Sequence, residues 1–175
     1  MKVNIKHGFL SSEISDAYIL ACSSEHFYFS KEMTEVDIAG SRGVRKFADY
    51  RISKQLAQKP LKQGDVLCFD AFGGNARKLV FVICCGGKED VVQIKNSMLK
   101  GLKELFIFAD AYNLKTVSMY PLCVSAEFNT TDFVSVFKEA LSFAKEDCCL
   151  ETINIMISKE HSKMVDKKVL KELSK

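Results

Sequence analysis

The sequence has no tryptophan, only two prolines among its 175 residues, and no long hydrophobic run. With 47% hydrophobic and 27% charged residues, this scarcity excludes collagen-like, low-complexity and disordered chains. The longest apolar run, Leu79 to Cys85, is far shorter than the roughly 20 residues of a membrane-spanning helix. Residues 1–7 lack the apolar stretch of a secretory signal. We therefore expect one globular domain over residues 1–175, cytoplasmic or nuclear, with no membrane partner.

Arginine is also scarce and occurs at four positions, 42, 45, 51 and 77. The net charge of +3 lies in residues 159–175, where six lysines accompany three carboxylates. Nucleic-acid binders usually carry a concentrated basic face that includes arginine. The lysines therefore indicate a solvated helix face, and we expect no nucleic-acid partner.

The seven cysteines form no Cys-x-x-Cys motif, and four of them are the adjacent pairs Cys84-Cys85 and Cys148-Cys149. Adjacent residues on a strand point to opposite faces, which suits neither a disulfide nor a shared metal ion. The three histidines, at 7, 26 and 161, show no ligand spacing. We expect thiols packed as small apolar groups in a reducing compartment, with no metal and no other cofactor.

Strand-like and helix-like segments alternate along the chain, which predicts an α/β fold with helices on both faces of a mixed sheet. Strands are predicted over residues 3–6, 17–22, 65–70, 78–84, 116–120 and 151–157, the third and fourth as an antiparallel hairpin. Residues 17–22 are apolar throughout, which indicates a strand covered on both faces.

Helices are predicted over residues 44–56, 91–112 and 132–145, with a final amphipathic helix that includes Val165, Val169, Leu170 and Leu173. The spacing of apolar residues places Ile107 near the buried side of the second helix and Phe143 on the buried stripe of the third. Thr130 or Thr131 is the predicted cap of the third helix.

In sheets of this kind, ligands favour the crevice beyond the carboxyl ends of the strands. Gly40 and Gly43 precede the first predicted helix, where their backbone N–H groups suit an anion. The loop after Tyr120 contains no glycine, and none follows Gly101. Since glycine adopts positive φ most easily, this absence disfavours a second backbone cradle. Residues 23–40 are polar and aromatic and are predicted to form a long loop region.

The order of these segments and several short stretches resemble the macro domain, an ADP-ribose-binding α/β/α module. The similar stretches are Val3-Asn-Ile-Lys-His-Gly, Asp16-Ala-Tyr-Ile-Leu-Ala-Cys-Ser-Ser, Gly64-Asp-Val-Leu, Gly73-Gly-Asn-Ala-Arg-Lys-Leu-Val-Phe-Val, Lys115-Thr-Val-Ser-Met-Tyr-Pro-Leu and Glu139-Ala-Leu-Ser-Phe-Ala-Lys-Glu. The resemblance covers most of the chain. It implies a single three-layer α/β/α domain with a mixed, mostly parallel central sheet.

The sequence departs from the family at the positions that the resemblance assigns to the ligand. The family's adenine-contacting acid falls at Phe9, and a phenyl ring cannot accept a hydrogen bond from the adenine amino group. Its two strand asparagines fall at Leu20 and Ser23, and the second assists hydrolysis in active members. Residues 123–126 replace glycines of the second phosphate loop. The candidate ligand-binding residues carried over are Phe9, Cys22, Ser23, Gly40, Gly43, Val44, Ser125 and Phe128.

These departures predict a divergent binding or interaction module without hydrolase activity, with weak or lost binding of ADP-ribose or a related nucleotide, and with a possible protein partner. One alternative is an active ADP-ribosyl hydrolase or an ADP-ribose reader, with Ser23 and Ser125 as its polar groups. Another is a stand-alone relative of the non-catalytic N-terminal domain of leucyl aminopeptidases, because residues 79–90 are similar to that domain's strand-Gly-Lys turn. Asp16 matches a family aspartate, and we expect it to hold a strand end.

Overall fold

The structure is a computed structural model, and it describes residues 1–23, 61–71, 74–85, 90–125, 127–144 and 148–174. The strands in these residues are β1 (Lys2–His7), β2 (Ser15–Ser23), β3 (Val66–Asp70), β4 (Ala76–Cys85), β5 (Thr116–Met119) and β6 (Thr152–Ile157). The helices are α1 (Val91–Tyr112), α2 (Thr130–Ser142) and α3 (Lys167–Leu170), with 3₁₀ turns at Leu10–Ser12, His161–Lys163 and Lys171–Ser174.

The six strands form one sheet in the order β1-β6-β5-β2-β4-β3. All neighbours are parallel except β3, which pairs antiparallel with β4. The predicted mixed, mostly parallel sheet and the predicted hairpin are therefore confirmed. The register aligns Ala17 with Val117 across β2 and β5, and Val66 with Val82 across the hairpin.

Strand β2 lies in the interior of the sheet and is buried on both faces, as its continuous apolar sequence predicts. Ala17 and Ile19 join the core cluster to which α1, α2 and α3 contribute their buried side chains. Tyr18 and Leu20 join a second cluster on the opposite face. The first helix predicted from the sequence, at residues 44–56, lies outside the described residues, as does most of the predicted loop at 23–40.

Helix α1 has the predicted bounds because its ends carry strong local signals. Asp90 accepts a hydrogen bond from the backbone N–H of Gln93, whose side chain accepts one from the backbone N–H of Asp90. The helix ends at Asn113, which adopts left-handed φ of 50°.

The expectation for Ile107 was wrong: its side chain is 62% exposed, because it lies nine residues, or about two and a half turns, after the buried Met98 and therefore on the opposite face of α1. Across the described residues, no helix is long and apolar enough to cross a bilayer.

Helix α2 begins two residues earlier than predicted, and its cap is Asn129 instead of a threonine. The Asn129 side chain accepts hydrogen bonds from the backbone N–H groups of Thr131 and Asp132. The expectation for Phe143 on the buried stripe was wrong: this residue caps the end of the helix, is 56% exposed, and has the ammonium group of Lys103 over its ring. The predicted final helix is also shorter than expected: α3 has four residues and continues as the last 3₁₀ turn.

Candidate functional site

The parallel strands β1, β6, β5, β2 and β4 end along one side of the sheet, which we call the carboxyl edge. Loops that leave parallel strands at such an edge lie close together, and open α/β sheets bind their ligands there. The described residues line two pockets at this edge, which we call the outer and the inner pocket.

The outer pocket lies at the ends of β1 and β6 and has a volume of about 430 Å³. Its lining residues are His7, Gly8, Phe9, Ile157, Ser158, Lys159, Ser162 and Lys167. Gly8 has φ of 139°, a conformation that side chains rarely allow, and it turns the chain toward Phe9. Phe9 is 60% exposed. Together with the ammonium groups of Lys159 and Lys167, it gives this pocket an aromatic surface and a positive charge.

The inner pocket lies at the ends of β2 and β5 and has a volume of about 220 Å³. Its lining is mainly apolar and consists of Ile19, Leu20, Ala21, Tyr120, Pro121, Leu122, Cys123, Val124, His161 and Met164. By itself it is smaller than the about 300–1,000 Å³ of typical small-molecule sites, whereas the outer pocket falls within that range.

One chain of contacts joins the two pockets. The Ser158 hydroxyl, on the outer pocket, is 2.8 Å from Nδ1 of His161. The His161 ring stacks on Tyr120, on the inner pocket, with ring centres 4.2 Å apart. The Tyr120 hydroxyl in turn accepts a hydrogen bond of 2.8 Å from the buried backbone N–H of Leu10, the residue after Phe9. The loops after β1, β5 and β6 are therefore held together as one unit.

The loop after β5 is organised by its own polar groups. The Ser125 hydroxyl accepts hydrogen bonds from the backbone N–H groups of Glu127 and Phe128 and donates one to the Glu127 carboxylate. Phe128 is fully buried in the core. Cys123 has left-handed φ of 59°, which few non-glycine residues adopt. The loop therefore contains a glycine-like backbone conformation without a glycine.

The candidate residues from the sequence are distributed as follows. Phe9 lines the outer pocket, Ser23 ends β2, and Cys22 is buried in the core cluster on the face opposite α1. Ser125 folds its own loop and Phe128 packs inside the core, as described above. Gly40, Gly43 and Val44 lie outside the described residues. None of these placements tests a role in binding, so each residue remains a prediction.

The pocket residues that sequence reasoning missed include Tyr120, His161, Lys159 and Lys167. Tyr120 had a usable signal, because it closes a predicted strand at the carboxyl edge. The two lysines were interpreted as part of a solvated helix face, and only the return of the chain after β6 places them beside Phe9. His161 had no signal, since its partners Ser158 and Tyr120 belong to two different loops.

Asp16 lies at the opposite edge of the sheet and holds the start of β5, as expected. Its carboxylate accepts hydrogen bonds from the backbone N–H groups of Lys115 and Thr116. It also forms a hydrogen-bonded ion pair with the Arg77 guanidinium. Burial raises the pKa of Asp16, but these three partners outweigh it and hold the pKa below its usual value. In the described part of the chain, no group of three or more His, Cys, Asp or Glu side chains is arranged to hold a metal ion.

Neither a scan against models of protein families nor a search of curated proteins finds a match for this chain. Solved structures do match. The Oceanobacillus iheyensis macrodomain with ADP superposes with a TM-score of 0.78 at 12% identity, over 97% of this chain and 90% of that chain. A mutant of that macrodomain with ADPR gives 0.77 at 12% identity, over 97% and 91% of the two chains.

The likeness extends to other macrodomains. The macro domain of ganglioside induced differentiation associated protein 2 matches with a TM-score of 0.73 at 12% identity, over 98% of this chain and 82% of that one. The macrodomain of Thermus aquaticus DarG gives 0.64 at 12% identity, over 87% and 97%. Identities this low establish a shared fold and nothing about the ligand.

Proposed function

Because the chain has the macrodomain fold, we propose that it binds ADP-ribose or a related nucleotide along the outer and inner pockets, weakly and without hydrolysing it. One observation carries the proposal: two pockets joined by the Ser158–His161–Tyr120 contacts lie at the carboxyl edge of this fold. Macrodomain structures that superpose on the chain hold ADPR and ADP.

The outer pocket has the chemistry that a nucleotide requires. The exposed Phe9 ring offers a flat apolar surface on which a base can stack. Lys159 and Lys167 supply positive charge for phosphate oxygens. The inner pocket is narrower and less polar, and it suits a sugar more than a second charged group.

We expect weak binding because Phe9 in the outer pocket stands where the family resemblance places an acidic residue. A base that stacks on Phe9 gains no carboxylate acceptor for its amino group. Each charged hydrogen bond that is missing from a buried site costs about 1.5–3 kcal/mol. The loss of two or three such contacts weakens binding by several orders of magnitude. We therefore expect a dissociation constant above the micromolar range.

Absence of hydrolysis is part of the proposal and rests on the serines. The Ser125 hydroxyl has three partners within its own loop: it accepts hydrogen bonds from two backbone N–H groups and donates one to the Glu127 carboxylate. No histidine, the usual base that activates a serine nucleophile, is among these partners. Ser23 ends β2 in place of the asparagine that the family resemblance expects. A serine offers one hydroxyl where an amide offers two donors and an acceptor, so it positions a ribose and a water less well.

Isothermal titration of the chain with ADP-ribose, and in parallel with ADP, tests the binding. We expect detectable binding above the micromolar range. Phe9→Ala should weaken it several-fold by removing the stacking surface, while Ile107→Ala, equally exposed at 62% on α1, should not change it. Micromolar or tighter binding would contradict the predicted weakness. No heat at millimolar ligand would refute nucleotide binding altogether.

The hydrolase alternative has its own assay. Incubation of the chain with a mono-ADP-ribosylated protein should release no free ADP-ribose, with an active hydrolase as the positive control. Release that is lost in Ser23→Ala or Ser125→Ala would establish the enzyme and overturn the non-catalytic proposal.

A further inference from the structure

Two cysteines that are distant in sequence meet at the carboxyl edge. The Sγ atoms of Cys84 and Cys123 are 3.2 Å apart, in contact across 39 residues of chain. Both are thiols in this structure. Sulfur atoms at this distance must approach by only about 1 Å to reach the bond length of a disulfide, about 2.05 Å.

The positions of Cys84 and Cys123 determine which parts of the fold a bond between them would connect. Cys84 is the second-to-last residue of β4 and is fully buried, whereas Cys123 follows β5, is partly exposed and lines the inner pocket. Strand β2 lies between β4 and β5 in the sheet. A bond between the two sulfurs would therefore cross the end of β2 and tie the loop after β5 to β4.

We propose that Cys84 and Cys123 form a reversible intramolecular disulfide through exchange with a small-molecule disulfide. The Cys123 thiolate attacks one sulfur of the small disulfide, whose S–S bond breaks and releases one thiol after protonation. The Cys84 thiol then loses its proton and attacks Sγ of Cys123, which releases the second thiol. The two cysteines are oxidised by two electrons and the small disulfide is reduced by two.

The exposures of the two sulfurs set this order. Cys123 is partly exposed and makes the first attack, and the buried Cys84 then resolves the mixed disulfide. Cys123 has a left-handed backbone, and its sulfur already lies against that of Cys84 on β4. A transient bond of this kind is compatible with the reducing compartment expected from the sequence, where disulfides are mostly regulatory.

Burial or position limits the reactivity of three other cysteines. Burial raises the pKa of the Cys68 thiol and that of the Cys149 thiol, which lowers the fraction of reactive thiolate. The Cys149 thiol also donates a hydrogen bond to the carbonyl of Ala109. Cys22 is buried on the opposite face of the sheet from Cys84.

The bond would narrow the inner pocket, because it draws Cys123 toward β4 across the end of β2. This consequence, unlike the bond itself, rests on the proposed function. We expect the oxidised protein to bind ADP-ribose several-fold more weakly than the reduced protein.

The test equilibrates the full chain with reduced and oxidised glutathione at a series of ratios, quenches with acid, alkylates the remaining thiols and maps peptides by mass spectrometry. We expect one linked species that joins the Cys84 and Cys123 peptides, lighter by two hydrogen atoms and reversed by excess thiol. Cys123→Ser should abolish it, and the matched control Cys149→Ser should leave it unchanged. Mapping of the wild-type chain decides the question even if a variant folds poorly.

Two results would overturn the proposal. One is a linked species formed by a different cysteine pair, and the other is glutathione retained on Cys123 without transfer to Cys84. Calorimetry on the reduced and oxidised chains separates the two proposals. Equal affinities would remove the coupling to the pocket, whereas no binding in either state would refute the proposed function and leave the disulfide standing.

Discussion

Replacing Tyr120 by phenylalanine removes one hydroxyl group from the carboxyl edge and leaves the ring. That hydroxyl accepts the backbone N–H of Leu10 at 2.8 Å, and both residues are buried, Tyr120 at 4% and Leu10 at 0% exposure. A buried donor that loses its acceptor costs about 1–3 kcal/mol. The ring volume is nearly unchanged, so no cavity term adds to this. We expect Tyr120→Phe to lower the free energy of unfolding by about 2 kcal/mol.

Urea denaturation followed by circular dichroism measures this change. Tyr112→Phe is the matched control, because it deletes the same atom from a ring that is 42% exposed and stacked on Phe108. Such a surface change should stay within about 0.5 kcal/mol of the wild type. If Tyr120→Phe is as stable as Tyr112→Phe, the hydrogen bond that braces the loop after β1 does not exist as described.

Two further changes test the scaffold. Gly101→Ala should destabilise the protein by about 1–2 kcal/mol in the same urea assay. The added Cβ would lie 2.3 Å from Cγ1 of Val82, and the cost of this overpacking exceeds the gain in helix propensity. A variant more stable than the wild type would contradict this packing. Asp16→Asn should be destabilising at neutral pH, because a carboxylate whose pKa is lower in the folded than in the unfolded chain stabilises the fold. This contribution is complete above the unfolded pKa of about 4 and is lost as the pH falls through the lower folded pKa, so the difference should shrink below about pH 4 and vanish only below the folded pKa. Glu151→Gln is the control, because this side chain is 67% exposed and its replacement should change the free energy of unfolding at neutral pH by less than about 0.5 kcal/mol. An equal loss of stability in both variants would refute the role of Asp16.

The elements of the fold follow from local patterns where those patterns are unambiguous. A continuous apolar run predicted β2, and apolar residues at a period of 3.6 predicted α1 with the observed bounds. The cap of α2 did not follow, because Asn129, Thr130 and Thr131 are all good capping residues in sequence. A tertiary contact decides among them: Thr130 is buried and its hydroxyl accepts the backbone N–H of Asp166.

The candidate site could be predicted only in outline. That a crevice lies at the carboxyl edge follows from the strand order, and Phe9 follows from its position after β1. The partnership of Tyr120 with His161 did not follow, because the two residues come from loops 41 positions apart in sequence that only the pairing of β5 with β6 brings together. No local periodicity encodes a contact of this kind.

The backbone conformation of Cys123 shows that the absence of glycine from the loop after β5 does not exclude a positive φ there. The sequence argument holds that a loop without glycine disfavours a backbone cradle, because an anion needs N–H groups presented by residues with positive φ. Cys123 has φ of 59° even so, and its sulfur rests against Cys84. Compared with a loop that contains glycines, this loop therefore leaves less space in the inner pocket, since the side chains of Cys123 and Val124 line it. If the volume of these side chains weakens binding in the inner pocket, removing one of them should strengthen it. Cys123→Gly keeps the backbone conformation and removes the side chain, so it should bind ADP-ribose more tightly than the wild type in the isothermal titration. If it binds no better, the shape of the backbone, and not the volume of the side chain, limits the affinity.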